Sequence, residues 1–563
     1  MKMFKNYLPV FLYLLLGIPL MIIFQHEFYS NDTFQYLSIA RKYAEGNFSV
    51  AINGFIGPLI PWLLVPFLKL KIDPILSVKI LEFLLGVVAL IILPSITRKI
   101  ISNKWLRIVL NFSFVPIILS YAIIYVSADL LFLILLLLYI NLLLGDVCLK
   151  NNRTVWQIGI VAGLLYLTKS FGCYFFITHF IIVMILNWKY GNQDSFSWRP
   201  VIKTLFIFLS ICMVWITILT ASYGRFTLTT SGDYLFKALG PEYFPDDKQL
   251  IHHPPHVEGL FPPPNADAVS VWEEPNAIPM KSWSPFNSGD EFRHYMKVIG
   301  RNISSIWYHD FQRQAGFILL VLFILFIFLC EERFHAVPKK FYFFLFTYLL
   351  LAGSISLIYF LPRYAWLNPI LLIFMIVILA EELVKRNIFK SAITFIFVGI
   401  AIVLITKRSV KEILFLEDKE ITADEAFSAV RHPILTMKNN LLRFDNHYAL
   451  IEKLQQIPEL KGNVASFQDK DLYHYVAEIS YYLHLHYYGE LTNGNVEMNI
   501  FPNELPSHYF AKSLNRHNQF LKFGIEYYFV ENSSTANESI LDGKIPVYKD
   551  LLTGLKIYKV NGD

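Results

Sequence analysis

Long apolar stretches recur through the first four hundred residues, separated by short polar connections. A membrane helix needs roughly 20 apolar residues, with a usable range of about 17 to 25. The first stretch follows Lys2 and Lys5 and lacks the short apolar core and small-residue cleavage site of a signal peptide, so we expect a retained anchor. The pattern predicts eleven spans, near 7–25, 77–97, 105–122, 127–146, 155–168, 172–188, 202–222, 314–330, 341–360, 364–384 and 389–407.

Two regions depart from this pattern. The stretch "GPLIPWLLVPFLKLK" at 57–71 is short and rich in proline, which favours a re-entrant or interfacial segment. After residue 407, "GNVASF" and "GIEYYFVE" are typical of strands, while "KDLYHYVAEISYYLHL" has helical periodicity. "PVYKDLLTGLKIYKV" predicts a hairpin with its turn at Gly554. The tail is therefore expected to form a small α/β domain.

The composition supports a polytopic helical membrane protein and excludes an ordinary soluble one. The chain is 55% hydrophobic and 16% aromatic, with a mean hydropathy of +0.45. Only 17% of its residues are charged, against about 25% in typical soluble domains. Its four cysteines form no CxxC pair, so neither a disulfide framework nor a thiolate metal site is indicated. We expect the lipid bilayer as a partner and no nucleic acid.

Lysine and arginine alternate sharply between the two sets of short connections. One set carries fifteen of them and the other carries two, Lys169 and Arg363. Because positive charge accumulates on the cytoplasmic side, the N-terminus is predicted inside, and 26–76, 223–313 and the tail outside. We therefore predict a multi-pass protein of the plasma (inner) membrane, with a transmembrane domain at 1–407 and an extracytoplasmic domain at 408–563. The fifteen are Arg98, Lys99, Lys104, Arg107, Lys150, Arg153, Lys189, Arg199, Lys203, Arg333, Lys339, Lys340, Lys385, Arg386 and Lys390.

Asp32 lies just beyond the first span, in "FYSNDTFQYLSIARKYAEG", at the start of a predicted amphipathic helix. With Gln35 three residues on, it fits a capping box. An ionisable group at a membrane edge is also a functional-site hypothesis. The two interpretations are compatible, because a helix N-terminus keeps a carboxylate ionised, as a base or a cation ligand requires.

Three more ionisable residues lie on the predicted outer side, each with two interpretations. Asp129 either starts the fourth span, with Ser127 or itself as the cap, or points into a cleft. Lys169 either snorkels to the headgroups or points inward from its tight turn. Arg363, beside Tyr364, is either an aromatic-belt arginine or a guanidinium that binds a phosphate.

The combination of these four residues is more informative than any one of them. Two carboxylates and two cations meet one membrane face beneath a large outer loop. A cation pair at headgroup depth suits a lipid phosphate, and a carboxylate suits deprotonation of a hydroxyl. Such chemistry matches transfer of a group from a lipid-linked phosphate to an acceptor hydroxyl.

Five motifs follow in order: "NDTFQYLSIARKY", "GPLIPWLLVPFLKL", "SADLLFLILLLLY", "GLLYLTKSFG" and "PRYAWLNPILLI". In this order they resemble the GT-C membrane glycosyltransferases, in the branch of protein O-mannosyltransferases and lipid A aminoarabinose transferases. The resemblance implies an all-α GT-C domain of about 11–13 transmembrane helices, a polyprenyl-phosphate sugar donor, and inverting transfer at the outer face. By that resemblance, Asp32 is the base that activates the acceptor, and Lys169 and Arg363 lie near the donor phosphate. We also predict Asp129 as a catalytic residue and Tyr364 as part of the donor-phosphate site.

The chain departs from the family at one position. The family often has Asp-Glu in the first loop, whereas Thr33 follows Asp32 here. Glu27 is the candidate for a second acid, which is otherwise missing. Glu273 and Glu274 in the long loop either contact an acceptor or form a solvated turn.

The long loop also contains three histidines, in "IHHPPHVEGL". His252, His253 and His256 either bind a divalent metal cation or belong to a rigid, solvated loop. A metal cofactor is therefore left open by the sequence.

The leading function is a membrane glycosyltransferase that acts on a lipid, glycan or protein hydroxyl. The alternative is a transporter or flippase of a lipid-linked glycan, which often has broken helices and polar residues at the membrane midplane. The unusual charges gather at one edge instead. A third hypothesis, a surface protein anchored by its helices, does not need eleven spans.

Overall fold

The computed structural model describes residues 7–26, 32–190, 196–241, 259–278, 280–312, 315–330, 337–413, 448–467, 472–491, 516–531, 541 and 544–560. The chain divides into two compact units. The first, here called the helical unit, comprises Met1–Gln25, Val78–Ile218 and Val298–Pro433. The second, here called the sheet unit, comprises His26–Ser77, Leu219–Lys297 and Ile434–Asp563.

Helices dominate the first four hundred residues. In chain order they are α1 (Leu8–Ile23), α2 (Asp32–Glu45), α3 (Phe48–Ala51), α4 (Leu59–Lys69), α5 (Pro74–Ile100), α6 (Lys104–Ile124), α7 (Asp129–Gly145), α8 (Asn152–Thr168), α9 (Phe171–Tyr190), α10 (Trp198–Tyr223), α11 (Ser231–Ala238), α12 (Gly289–Trp307), α13 (Gly316–Leu329), α14 (Lys339–Ser356), α15 (Leu367–Lys385) and α16 (Ser391–Ile413). Two more lie in the tail, α17 (Leu472–Leu483) and α18 (Arg516–Phe523).

Each of the eleven predicted spans coincides with one of these helices. Within the described residues, six helices are long and apolar enough to cross a membrane, or up to seven if one bent pair counts as a single span. Helices α1 and α7 are apolar but shorter. The predicted class, a helical membrane domain with a small C-terminal sheet, is therefore confirmed.

In the helical unit, α15 is the central helix. It is the most buried of the six candidate spans, and it packs against α13, α14 and α16. Asparagine caps define two neighbouring helix starts, because the Asn103 side chain accepts the backbone N–H groups of Trp105 and Leu106, and Asn151 accepts that of Arg153.

The sheet unit contains a six-stranded sheet of order β1-β3-β2-β4-β6-β5. Its inner strands β3, β2 and β4 are parallel, and the other pairings are antiparallel. The predicted strands, helix and hairpin of the tail are all present, with Gly554 at a φ of 75° in the hairpin turn. The strands are β1 (Gly259–Leu260), β2 (Asn463–Phe467), β3 (His486–Leu491), β4 (Ile525–Glu531), β5 (Tyr548–Lys549) and β6 (Leu555–Lys559).

The tail does not build this sheet alone. The edge strand β1 comes from the long loop between α11 and α12, and it pairs with β3. The proline-rich 57–71 stretch forms α4, which packs against α2 in the same unit. Most of the 26–76 and 223–313 loops, which the sequence predicts to lie outside, therefore belong to the same unit as the tail. The domain boundary between 407 and 408 stays a prediction, and α16 continues to Ile413.

Candidate functional site

Asp129, Lys169 and Arg363 meet at one point in the helical unit. The Lys169 ammonium contacts Asp129 Oδ1, and Arg363 Nε lies 3.7 Å from Asp129 Oδ2. The Ser127 hydroxyl donates a hydrogen bond to the same Oδ2 at 2.7 Å. Only 4% of the Asp129 side chain is exposed, against 23% for Lys169 and 21% for Arg363. The acid is therefore enclosed, and the cations are the part of the cluster that a ligand can reach.

The turn that carries Lys169 depends on close packing at Gly172. Lys169 ends α8 in an extended conformation, and its carbonyl accepts the Gly172 N–H at 2.8 Å. A Cβ on Gly172 would lie 2.7 Å from the backbone carbonyl of Leu165 in α8. Only glycine lets α9 start this close to α8, and that closeness fixes the path of the chain at Lys169.

Arg363 is positioned by a short 3₁₀ turn at Pro362–Ala365, immediately before α15. The next residue, Trp366, stacks on Tyr121 of α6 with ring centroids 4.0 Å apart. The Tyr364 ring lies under both cations, 4.5 Å from Lys169 Nζ and 5.7 Å from Arg363 Cζ. Four of the predicted site residues, Asp129, Lys169, Arg363 and Tyr364, are thus brought together.

Two charged residues near this cluster were not predicted as site residues from the sequence. Lys79 and Glu82 lie one turn apart on α5, each 1% exposed. Lys79 donates to the carbonyl of Ile123 at 2.5 Å, just before the connection that carries Asp129. Glu82 interacts electrostatically with Asp129, and neither of its carboxylate oxygens has a hydrogen-bond partner among the described residues. The sequence could have identified both, because a charged residue inside a predicted membrane span is itself a functional-site hypothesis.

A second buried carboxylate was also missed, at the π-helical segment Tyr308–Gln312 that follows α12. Asp310 is fully buried and accepts hydrogen bonds from the Tyr348 hydroxyl at 2.9 Å and the Asn368 amide at 2.7 Å. Asn368 lies in the first turn of α15, just after the Arg363 turn. Asp310 therefore ties the end of α12 to the element that carries Arg363.

Asp32 is the first residue of α2, in the sheet unit, as the sequence predicted. Its side chain is half-buried. Gln35 is buried, and its carbonyl oxygen has no hydrogen-bond partner among the described residues. The predicted capping box is therefore not seen in the hydrogen bonds described for Gln35. Most of the residues that follow on α2 are buried, so the helix is packed on nearly all sides.

Glu273 is an anchor in the sheet unit. It forms an ion pair with Lys42 of α2 at 2.5 Å, with both side chains 1% exposed. The Ser38 hydroxyl donates to its other oxygen at 2.6 Å, and so does the Val269 N–H at 2.7 Å. The interpretation of this segment as a solvated turn is wrong, because the carboxylate satisfies buried donors on the helix that carries Asp32.

The neighbouring Glu274 is also buried and hydrogen-bonded. It accepts the Thr230 hydroxyl at 2.6 Å and also accepts the Tyr223 hydroxyl, which itself accepts the Gly54 N–H at 2.9 Å. Burial raises the pKa of the Glu274 carboxyl above its usual 4.5, while these hydrogen bonds act in the opposite direction. The solvated-turn interpretation is wrong here as well.

The remaining candidates lie outside the described residues, namely Glu27, His252, His253 and His256. Within the part of the chain that is described, no group of three or more His, Cys, Asp or Glu side chains could hold a metal ion. The question of a divalent cation thus stays open at the histidine loop.

No protein-family model matches the chain, and no curated protein matches it. The solved structures that are similar to it include two of ArnT from Cupriavidus metallidurans. The apo structure is 11% identical, with a TM-score of 0.49, over 98% of this chain and 97% of that chain. The structure bound to undecaprenyl phosphate is 10% identical, with a TM-score of 0.45, over 98% of each chain. ArnT is a lipid A aminoarabinose transferase, one of the two groups that the sequence motifs resemble.

Proposed function

We propose that this protein is an integral-membrane glycosyltransferase. It transfers a sugar from a polyprenyl-phosphate donor to an acceptor hydroxyl, with inversion, at the outer face of the plasma membrane. The observation that carries the proposal is the convergence of Lys169 and Arg363 on the enclosed carboxylate of Asp129. Cations at the edge of membrane spans, held in place and reachable, suit the phosphate of a lipid-linked sugar.

The exposures of the three side chains support the roles that we propose for them. Lys169 and Arg363 are about one-fifth exposed and each carries several N–H donors, so we propose that they bind the phosphate oxygens. The guanidinium of Arg363 favours two-point contact with a phosphate. Asp129 is almost fully enclosed and holds both cations toward one point, so we assign it a positioning role rather than that of a base.

The reaction is a displacement at the anomeric carbon. Asp32 takes the proton of the acceptor hydroxyl, whose oxygen attacks that carbon from the face opposite the phosphate. The bond from the anomeric carbon to the phosphate oxygen breaks, and its electron pair stays on the phosphate. The polyprenyl phosphate leaves with one additional negative charge, which Lys169 and Arg363 stabilise. The acceptor is a lipid, glycan or protein hydroxyl.

A transfer assay tests the proposal. Purified protein in nanodiscs is incubated with a panel of polyprenyl-phosphate sugars and a membrane extract as the acceptor source. We expect Asp32→Asn to lower the turnover by at least about 100-fold, within the range of a lost general base. Lys169→Met should lower donor affinity and turnover together. Lys189→Met is the matched control, because Lys189 is an exposed lysine at the end of α9 and should leave transfer unchanged.

The outcomes separate the hypotheses. Sugar transfer that survives in Asp32→Asn removes Asp32 from the chemistry. Movement of labelled lipid-linked sugar across the bilayer, without any transfer to an acceptor, would favour the transporter instead. Equal activity of Lys169→Met and Lys189→Met would refute the phosphate-binding role of the cluster.

A further inference from the structure

The buried hydroxyl of Tyr359 makes no hydrogen bond within the described fold. The residue lies between the end of α14 and the 3₁₀ turn of Arg363, and it is 7% exposed. Its hydroxyl has no hydrogen-bond partner among the residues that the structure describes. Other buried tyrosines of the helical unit differ, because Tyr348 bonds Asp310 and Tyr139 bonds His179. Since buried polar groups are nearly always bonded, this exception requires an explanation.

The backbone around Tyr359 is fixed from both sides. The Asn302 side chain of α12 donates to the carbonyl of Ile358 at 3.3 Å and accepts the N–H of Phe360 at 3.4 Å. It also donates to the carbonyl of Ser356 at 2.9 Å. The position of Tyr359 is therefore set by the fold.

The surroundings of Tyr359 indicate the kind of ligand that its hydroxyl can bind. Arg363 and Tyr364 follow it by four and five residues, and both interact electrostatically with it. Tyr364 in turn lies against Lys169. An unused O–H donor near Arg363, whose neighbour Tyr364 lies against Lys169, suits an oxyanion, because the guanidinium attracts the oxygens of such a ligand.

We propose that the Tyr359 hydroxyl binds the donor phosphate, donating a hydrogen bond to an oxygen that Lys169 and Arg363 also hold. The inference rests on the proposed function and adds a neutral donor to the cation pair. The bond forms only when a phosphate is present. In the unliganded protein the hydroxyl therefore has no partner among the described residues, which costs stability, and the liganded protein gains a bond to a charged oxygen.

This difference between the two states defines the experiment. Full-length wild type and Tyr359→Phe are purified in detergent, and thermal unfolding is followed without ligand and with increasing undecaprenyl phosphate. We expect Tyr359→Phe to be at least as stable as wild type without ligand, and to bind undecaprenyl phosphate about tenfold more weakly. In the transfer assay, the KM for the donor should rise by a similar factor. Undecaprenol, which lacks the phosphate, should give no shift with either protein.

Tyr348→Phe is the matched control on α14, because the hydroxyl it removes is bonded to the buried Asp310. It should unfold at a lower temperature than wild type even without ligand. Undecaprenyl phosphate binding by Tyr359→Phe that equals wild type would overturn the inference. So would a loss of stability in unliganded Tyr359→Phe, since the hydroxyl would then have a structural partner.

The design also separates this inference from the proposed function. If wild type does not bind undecaprenyl phosphate, both fail. If wild type binds it and Lys169→Met weakens binding while Tyr359→Phe does not, the proposed function stands and only the role of Tyr359 is rejected.

Discussion

Replacing Asp129 by asparagine tests whether its charge holds the cation pair together. The substitution keeps the size of the side chain and an oxygen that can still accept the Ser127 hydroxyl. It removes the negative charge that Lys169 and Arg363 share. The two cations would then face each other without the negative charge of Asp129 between them, and we expect them to separate and to lose their common orientation.

The size of the effect follows from the exposure of the three groups. Removing one partner of a fully buried ion pair costs about 3–5 kcal/mol, because the remaining charge is left uncompensated. Here Asp129 is enclosed, but Lys169 and Arg363 are about one-fifth exposed, so water solvates part of the charge that remains. We therefore expect Asp129→Asn to lower the free energy of unfolding by about 2–3 kcal/mol, below the fully buried limit.

The assay is denaturant unfolding of the full chain in detergent micelles at neutral pH, with and without undecaprenyl phosphate. A bound phosphate replaces the missing negative charge, so the ligand should stabilise Asp129→Asn more than it stabilises wild type. Turnover should still fall by about 10- to 100-fold, because small misplacements of binding groups are costly.

The control for this assay is Asp233→Asn. The Asp233 carboxylate is 47% exposed and paired with Lys237, and a surface pair of this kind is worth about 0–1 kcal/mol. An Asp129→Asn variant that is as stable and as active as Asp233→Asn would refute the reasoning. A variant that is unstable but gains nothing from undecaprenyl phosphate would show that the cations do not receive the phosphate.

The remaining predictions concern the supports of the site. Gly172→Ala should destabilise the protein by about 1–3 kcal/mol and lower sugar transfer. Gly353→Ala on α14 is the control and should do neither, because its Cβ meets open space. Thermal unfolding and turnover are measured for both variants. Glu273→Gln should cost about 3–5 kcal/mol in unfolding free energy, and adding Lys42→Met should recover part of this loss, because the unpaired buried charge is removed. Because folding raises the pKa of Glu274, its contribution to stability is largest below about pH 4.5 and decreases as the pH rises through the folded pKa. The free energy of unfolding, measured from pH 4 to 8, should therefore depend less on pH in Glu274→Gln than in wild type. An identical slope in the two proteins would contradict this.

The sequence predicted the helical part of the fold well, because each span corresponds to a contiguous run of apolar residues. It also predicted the two cations that meet Asp129, because Lys169 and Arg363 broke the charge rule that the other connections obey. The tail strand β3 was not predicted from the sequence, whereas β2, β4, β5 and β6 were predicted where β-branched and aromatic residues cluster. The edge strand β1 was not, because two residues of a proline-rich loop carry no periodic signal and depend on pairing with β3.

The buried polar residues were harder to predict for a physical reason. Glu273 and Glu274 stand in a polar, proline-rich loop that resembles a solvated turn, and the side chains that bond them lie more than forty positions away in the chain. Glu82 is different, since a glutamate inside a predicted span was visible in the sequence. A criterion based on charges at the edges of spans leaves out charges that lie within them.

Exposure divides the polar residues of the helical unit into two groups with different tasks. The carboxylates Asp129, Glu82 and Asp310 are enclosed, whereas Lys169 and Arg363 are partly open. Enclosed acids repel a phosphate of like charge, but they can fix cations and helix ends in place. Open cations on such a support present positive charge to a ligand that brings its own negative charge. This division fits a protein that holds a phosphate while a bond to it breaks, because the support does not reorganise as the charge develops.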